Sequence, residues 1–169
     1  MMPRDAHDNH GLTPSAPVRG CVLCDRLMLG AADPHRLAVL RESVVILGDN
    51  QGAPGWCTLI LREHVDHLAE LPFERQSRLF EEVALVAEVI RAEFRSAGAG
   101  GHPPRINYEC LGNVCPHVHW HVIPRLERDP TPNATVWGWS ADALRGTMTT
   151  DQRGDLAARL GRRIASMRS

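Results

Sequence analysis

Three histidines in single-residue alternation, His117-Val118-His119-Trp120-His121, carry the strongest chemical signal in this chain. Side chains on a strand alternate between faces. Read as a strand, the run from Pro116 to Arg125 puts His117, His119 and His121 on one face and Val118, Trp120 and Val122 on the other. One face suits a core, and the other presents a row of imidazoles. Imidazole is the side chain best matched to nucleophilic, acid–base or metal chemistry near neutral pH. Two chemistries fit the row. In the first, the middle residue, His119, attacks phosphorus, a phosphoramidate forms, and water releases the product, while a neighbouring imidazole donates to the phosphate oxygens. In the second, His117 and His119 are ligands of an open zinc site that activates water. Against both stands a structural role, with the rings satisfied by backbone or water on a half-exposed sheet.

A second cluster concerns metal. Cys21-Val22-Leu23-Cys24 has the spacing of half a zinc site, and His64 and His117 can supply the other half. Two thiolates and two imidazoles complete a tetrahedral set, so such a site is structural. The alternative is two packed, free cysteines near the N-terminus.

The elements that must position these groups are legible from pattern. Leu37–Arg41 and Val44–Leu47 are β-prone and suit a hairpin. A dense turn signal runs from Gly48 to Gly55 and leads into a strand over Trp56–Leu61. Pro72–Ala97 is the clearest helix, with an expected apolar stripe of Phe73, Phe80, Val83, Ala87, Ile90 and Phe94, and its Arg and Glu residues on a solvated face. Pro72 suits a first turn, and the glycines from Gly98 end the helix. Strands are expected over Ile106–Cys110 and His117–Ile123. A last helix starts near Thr149, where Thr149 and Gln152 have capping-box spacing, and Leu156, Leu160, Ile164 and Met167 form its apolar face. Three strands, a long helix and two strands make an α+β order with a mostly antiparallel sheet.

Composition sets the remaining bounds. At 169 residues the chain suits one domain with a core that needs no disulfide staples. With 19 Lys and Arg against 20 Asp and Glu there is no basic field to attract nucleic acid. No apolar run approaches the roughly 18–20 residues of a membrane span. Residues 1–19 read as a flexible leader without the apolar stretch of a signal peptide. Five cysteines, an odd and sparse set, argue against a disulfide framework and fit a reducing cytoplasm. Cys57, Cys110 and Cys115 are expected to be small buried residues. Trp56 and Trp120 are expected in the core, with Trp120 facing away from the imidazoles. Trp137 and Trp139 are expected to pack, with a pocket-facing role as the alternative. His7, His10, His35 and His102 are expected to be solvated.

The chain resembles the histidine triad (HIT) superfamily of nucleotide hydrolases and transferases. The likeness rests on His117-Val-His119-Trp-His121-Val-Ile with Pro124-Arg125 after it, on Leu111-Gly112-Asn113-Val114-Cys115-Pro116 before it, on Asp49-Asn50 with Pro54-Gly55, on Arg62-x-His64 and on Trp137-Gly138. It covers roughly residues 20–140, with 141–169 as a C-terminal extension carrying a helix. It implies a HIT-like fold, a five-stranded antiparallel sheet with one long helix, and a homodimer. It implies His119 as the nucleophile on the α-phosphate and His121 as the donor to phosphate oxygens. His117 then joins Cys21, Cys24 and His64 in a closed structural zinc site. Asp49 and Asn50 match a turn that contacts the ribose, and Asn113 stands where many members have Gln beside the phosphates. Val114 departs from the family's Ser or Thr, and the loop before the triad is shorter than in the phosphoramidase branch. The resemblance favours a bacterial dinucleoside polyphosphate hydrolase-like branch. Nucleoside phosphoramidates, a zinc-dependent hydrolase and a non-catalytic nucleotide sensor are the other readings.

Overall fold

The computed structural model describes residues 17–168. Most of the expected leader, including His7 and His10, lies outside the described residues. Five strands form one sheet: β1 (Arg36–Val39), β2 (Ser43–Leu47), β3 (Cys57–Leu61), β4 (Arg105–Glu109) and β5 (His119–Arg125). Their order is β1-β2-β3-β5-β4 and every neighbouring pair is antiparallel, so the triad strand is internal. The helices are α1 (Val22–Met28), α2 (Phe73–Glu93), α3 (Ala141–Arg145) and α4 (Thr150–Met167). The α+β class and the five-stranded antiparallel sheet are as the sequence implies. None of the described helices is long and apolar enough to cross a membrane.

Alternation decides which face of the sheet is covered. Val45, Leu47, Cys57, Leu59 and Val122 project from one face into a cluster with Val83, Val86 and Ile90 of α2 and Leu156, Leu160 and Ile164 of α4. Removing each such apolar side chain from water contributes roughly 1.5–3 kcal/mol. Val118 adds to a second cluster with Leu61, Leu71 and Leu79, and Trp120 packs edge-on against Phe80 with ring centroids 5.1 Å apart. The residues between the histidines thus anchor β5 to the helix layer, and Trp120 does face away from the imidazoles.

Some details differ from expectation for physical reasons. The buried face of α2 is Leu79, Val83, Val86, Ala87, Val89 and Ile90, whereas Phe73 is 75% and Phe80 49% exposed. The buried stripe begins at Leu79, well over one turn after Phe73. Nor is the charged side of α2 wholly solvated. Glu42 is buried and accepts from Arg75 Nε at 2.8 Å and Arg78 Nε at 2.7 Å. Glu82, also buried, accepts from the Glu42 backbone N–H at 2.8 Å and Ser43 Oγ at 2.6 Å. These bonds tie α2 to the start of β2, beside Leu61 of β3. Burial opposes ionisation of Glu42, but Arg78 and Arg75 outweigh it and hold its pKa below the ordinary value. Glu82, lacking such partners, is raised by burial. On α4, both halves of the Thr149–Gln152 capping box form, while Met167, the last residue of the helix, is exposed.

Strand limits also shift. β3 starts at Cys57, and Trp56 stands just before it, 2% exposed. β5 runs on through Pro124 to Arg125; the last β3 pair is Cys57 with Val122, so Pro124 lies where β5 has β4 as its remaining neighbour.

Candidate functional site

The sheet face opposite α2 and α4 carries the histidines. At one end of the row, four side chains from separate parts of the chain converge. Cys21 is the N-cap of α1 and Cys24 lies in its first turn, His64 follows β3, and His117 precedes β5. Their ligand atoms all lie within 4.8 Å of one another. Cys24 Sγ is 3.3 Å from His64 Nδ1, and Cys21 Sγ is 3.5 Å from His117 Nδ1. The far nitrogens are occupied. His117 Nε2 is 2.8 Å from the Leu61 carbonyl oxygen and His64 Nε2 is 2.9 Å from Asp66 Oδ1. Both partners are acceptors, so each Nε2 carries the proton and each Nδ1 lone pair turns to the cluster.

Electrostatics favour the ligand forms of Cys21 and His117 and oppose the thiolate at Cys24. Burial works against a thiolate at Cys21, yet backbone N–H groups of Cys24 and Leu23 outweigh it and bring the thiol below its ordinary value. Cys24 is raised, by burial and then by its neighbour Cys21. Burial holds His117 below the usual imidazole range, so it stays neutral as a ligand must. The donor set, two sulfurs and two ring nitrogens with their outer hydrogen bonds in place, fits a metal ion closed off from solvent.

The other two histidines are held differently. His119, 8% exposed, has Nδ1 2.7 Å from the carbonyl oxygen of His117. A carbonyl only accepts, so Nδ1–H donates to it and the neutral ring keeps a lone pair on Nε2. The rings of His119 and His121 meet edge-on, centroids 5.0 Å apart. His121 is pushed down to about 4, by burial first and then by His119, so it is neutral at pH 7. Its Nδ1 lies 3.2 Å from Trp56 Nε1 and 3.4 Å from Thr58 Oγ1. Trp137, 42% exposed, sets its ring 5.3 Å from both His121 and Trp56 and donates its indole N–H to Glu109. Trp139 is buried against Trp56, Ile123 and Val136. Packing therefore describes Trp139, while Trp137 is a half-open wall beside the triad.

The residues expected to hold substrate are less assembled. Asp49 turns its carboxylate to Arg26 at 3.2 Å and His35 at 3.8 Å. His35 is thus half-buried in an ionic cluster rather than solvated, and burial followed by Arg153 and Arg26 lowers its pKa. Asn50 is half-buried, and Asn113 and Val114 are exposed in the loop before the triad. Cys57 is buried as expected. Cys110 is exposed, because it falls just past the end of β4. Cys115 is half-buried with Sγ 3.8 Å from Cys21 Sγ. A cavity of about 690 Å³ lies elsewhere, between the Gln51–Pro54 turn, α3 and α4.

One positioning residue escapes sequence reading. Gln51, 2% exposed, donates from Nε2 to the carbonyls of Gly48 and Trp56 and accepts from the Gly55 backbone N–H, each at 2.9 Å. It folds the turn that delivers Trp56 to His121. Gly55, with φ +93°, supplies the left-handed conformation this turn needs. A polar residue amid a Gly- and Pro-rich turn is the one sequence signal for Gln51.

Comparison with known proteins agrees with this geometry. The HIT domain matches residues 33–128. No curated protein sequence matches the chain. Among solved structures, a histidine triad protein from Marinobacter aquaeolei is 30% identical, with a TM-score of 0.66 over 84% of this chain and 94% of that one. A histidine triad protein from Sinorhizobium meliloti is 26% identical, with a TM-score of 0.60 over 74% and 85%. A Zn-bound histidine triad family protein from Mycobacterium smegmatis, 20% identical over 88% and 96%, shares the fold with a TM-score of 0.56. With a domain match over more than half its length, and His119 and His121 on one sheet face with His117 just ahead of β5, the chain belongs to the histidine triad (HIT) family.

Proposed function

We propose that the chain is a nucleotide hydrolase or transferase acting at the α-phosphate through a nucleotidyl-histidine intermediate, with dinucleoside polyphosphates as the favoured substrates. The observation that carries the reading is the His119 hydrogen bond. With Nδ1–H spent on the His117 carbonyl at 2.7 Å, the lone pair sits on Nε2. Attack by Nε2 forms a P–N bond as the P–O bond to the leaving group breaks, and that oxygen leaves with the electron pair. Water then forms a new P–O bond, the P–N bond breaks, and the nucleoside monophosphate departs. Neutral His121 beside it donates to the phosphate oxygens, and Asp49, Asn50 and Asn113 contact the nucleotide.

Zinc is the metal proposed for Cys21, Cys24, His64 and His117, supported by the sulfur–nitrogen donor set and by the Zn-bound relative of the same fold. Its part is structural, to fix α1 against the segment entering β5. Four protein ligands leave no open position for a metal-activated water, which disfavours a zinc-dependent hydrolase.

Release of nucleoside monophosphate from diadenosine tetraphosphate and adenosine phosphoramidate, by the native chain and His119→Ala, tests the mechanism. Turnover lost in the variant supports it, and the ratio of the two substrates ranks the leaving groups. Full activity in His119→Ala would sink it. A homodimer in the cytoplasm completes the proposal. Exposed Phe73 and Phe80 on α2 and Tyr108 on the edge strand β4 support association, and a sedimentation mass of a single chain would exclude it.

A further inference from the structure

Trp56 is more than core. Its indole nitrogen is a donor and never an acceptor. It points at His121 Nδ1 from 3.2 Å, with the two rings nearly perpendicular at 83°. The indole is fixed from behind. It is 2% exposed, packed with Ala53, Ile123, Val136 and Trp139, and its backbone carbonyl accepts from Gln51 Nε2 at 2.9 Å and from the Gly48 N–H at 2.9 Å. It cannot readily turn away.

A neutral imidazole carries one proton, on either nitrogen. The other group near Nδ1 is the Thr58 hydroxyl at 3.4 Å. A hydroxyl rotates, so it can donate to a bare Nδ1 or accept from Nδ1–H, and it favours neither tautomer. The indole N–H accepts one answer only. A proton on Nδ1 would point at the indole proton between two nitrogens only 3.2 Å apart.

We infer that Trp56 is a positioning residue that locks His121 in the Nε2–H tautomer, so that His121 offers a hydrogen-bond donor to an anionic phosphate oxygen beside His119. His119 and His121 thereby take opposite forms. The Nδ1–H bond to a carbonyl leaves His119 with a lone pair on Nε2, and the indole leaves His121 with a proton on Nε2. One ring is set to attack and its neighbour to donate, although both are histidines on the same strand face. The tautomer assignment stands on the hydrogen bonds alone; its use toward phosphate rests on the function proposed above.

Long-range ¹H–¹⁵N correlation spectra of the imidazoles at pH 7 test it on the full chain, with His121 assigned by comparison with His121→Gln. In the native protein His121 should show a protonated Nε2 and a bare Nδ1. An Nδ1–H form there overturns the inference without any variant, so a folding failure cannot hide it. Trp56→Phe keeps a flat apolar ring and removes the donor. It should release His121 into a mixture of tautomers and lower kcat by roughly tenfold or more, with KM little changed. An unchanged tautomer in Trp56→Phe overturns the inference, as does a released tautomer with native kcat. If the native chain turns over no nucleotide, the reading of the reaction fails, and His121's tautomer then decides the lock by itself.

Discussion

The two ends of the histidine row teach by contrast. His117 and His121 lie four residues apart on one side of the same segment, and alternation along the chain does not by itself distinguish them. His117 is fully buried, its Nε2 bound to Leu61 and its Nδ1 among sulfurs. His121 keeps some exposure, and the nitrogen not facing Trp56 is left for other work. What separates them is what lies over the sheet. The thiols of Cys21 and Cys24 close one end, and half-open aromatic rings flank the other. His119 stands between, bound to the His117 carbonyl. The closed end thus fixes the position of the group with the free lone pair.

The largest expected effect breaks the comparison at its centre. His119→Ala should lower nucleoside monophosphate release by a factor of about 10³ or more, since no neighbouring group can take over a missing nucleophile. Metal content and melting temperature should stay close to native, because His119 lies outside the cluster of four. Rate, bound metal and thermal unfolding of the same preparation check all three. A variant that lost metal along with activity would erase the distinction between the two ends.

The second effect acts on the closed end. Cys24→Ala, or a chelator, should strip bound zinc and lower the melting temperature by on the order of 10 °C, through loss of a ligand-linked stabilisation of a few kcal/mol. Cys115→Ala is the control. Its Sγ is 3.8 Å from Cys21 Sγ, yet it is not among the four grouped atoms, so metal should remain at one ion per chain. Elemental analysis beside calorimetry reads both variants. Metal lost equally from both would move Cys115 into the ligand set.

How far sequence reading reaches differs between the ends for the same reason. The closed end was legible because its chemistry is carried by residue type and spacing. Cys-x2-Cys and two histidines name themselves, and the four side chains do meet. The open end depends on register. Thr58 faces His121 and Ile60 faces His119 across β3 and β5. Two residues back from Thr58, the same alternation carries Trp56 to the histidine face, but no local pattern reveals which residue of β3 meets which of β5. Hence Trp56 reads as core from sequence and turns out to be a hydrogen-bond donor as well. Asp49 shows a similar gap, since its partners Arg26 and His35 come from other elements and cannot be seen from the turn itself. The helix layer was legible in outline. Hydrophobic spacing found α2, but it could not tell that Phe73 and Phe80 stay exposed or that Glu82 is buried.

The smallest effect sharpens the open end through pH. His121 is held down to about 4 in the folded chain, by burial and then by His119, against an ordinary imidazole value near 6.5. The unfolded chain therefore binds a proton here that the folded chain refuses. Stability from this group is fully present above about pH 6.5 and is lost progressively as pH falls toward 4, by at most about 1.4 kcal/mol per unit. Below about pH 4 both states are protonated and this contribution stays lost, with no further slope. His121→Gln removes the titration while keeping a polar side chain. Its melting temperature, followed from pH 7 to 4, should fall less steeply than that of the native chain. Parallel curves would mean that His121 is protonated in the fold with little penalty. The neutral ring would then be a poor basis for the donor role, and the contrast between the two ends would lose its electrostatic half.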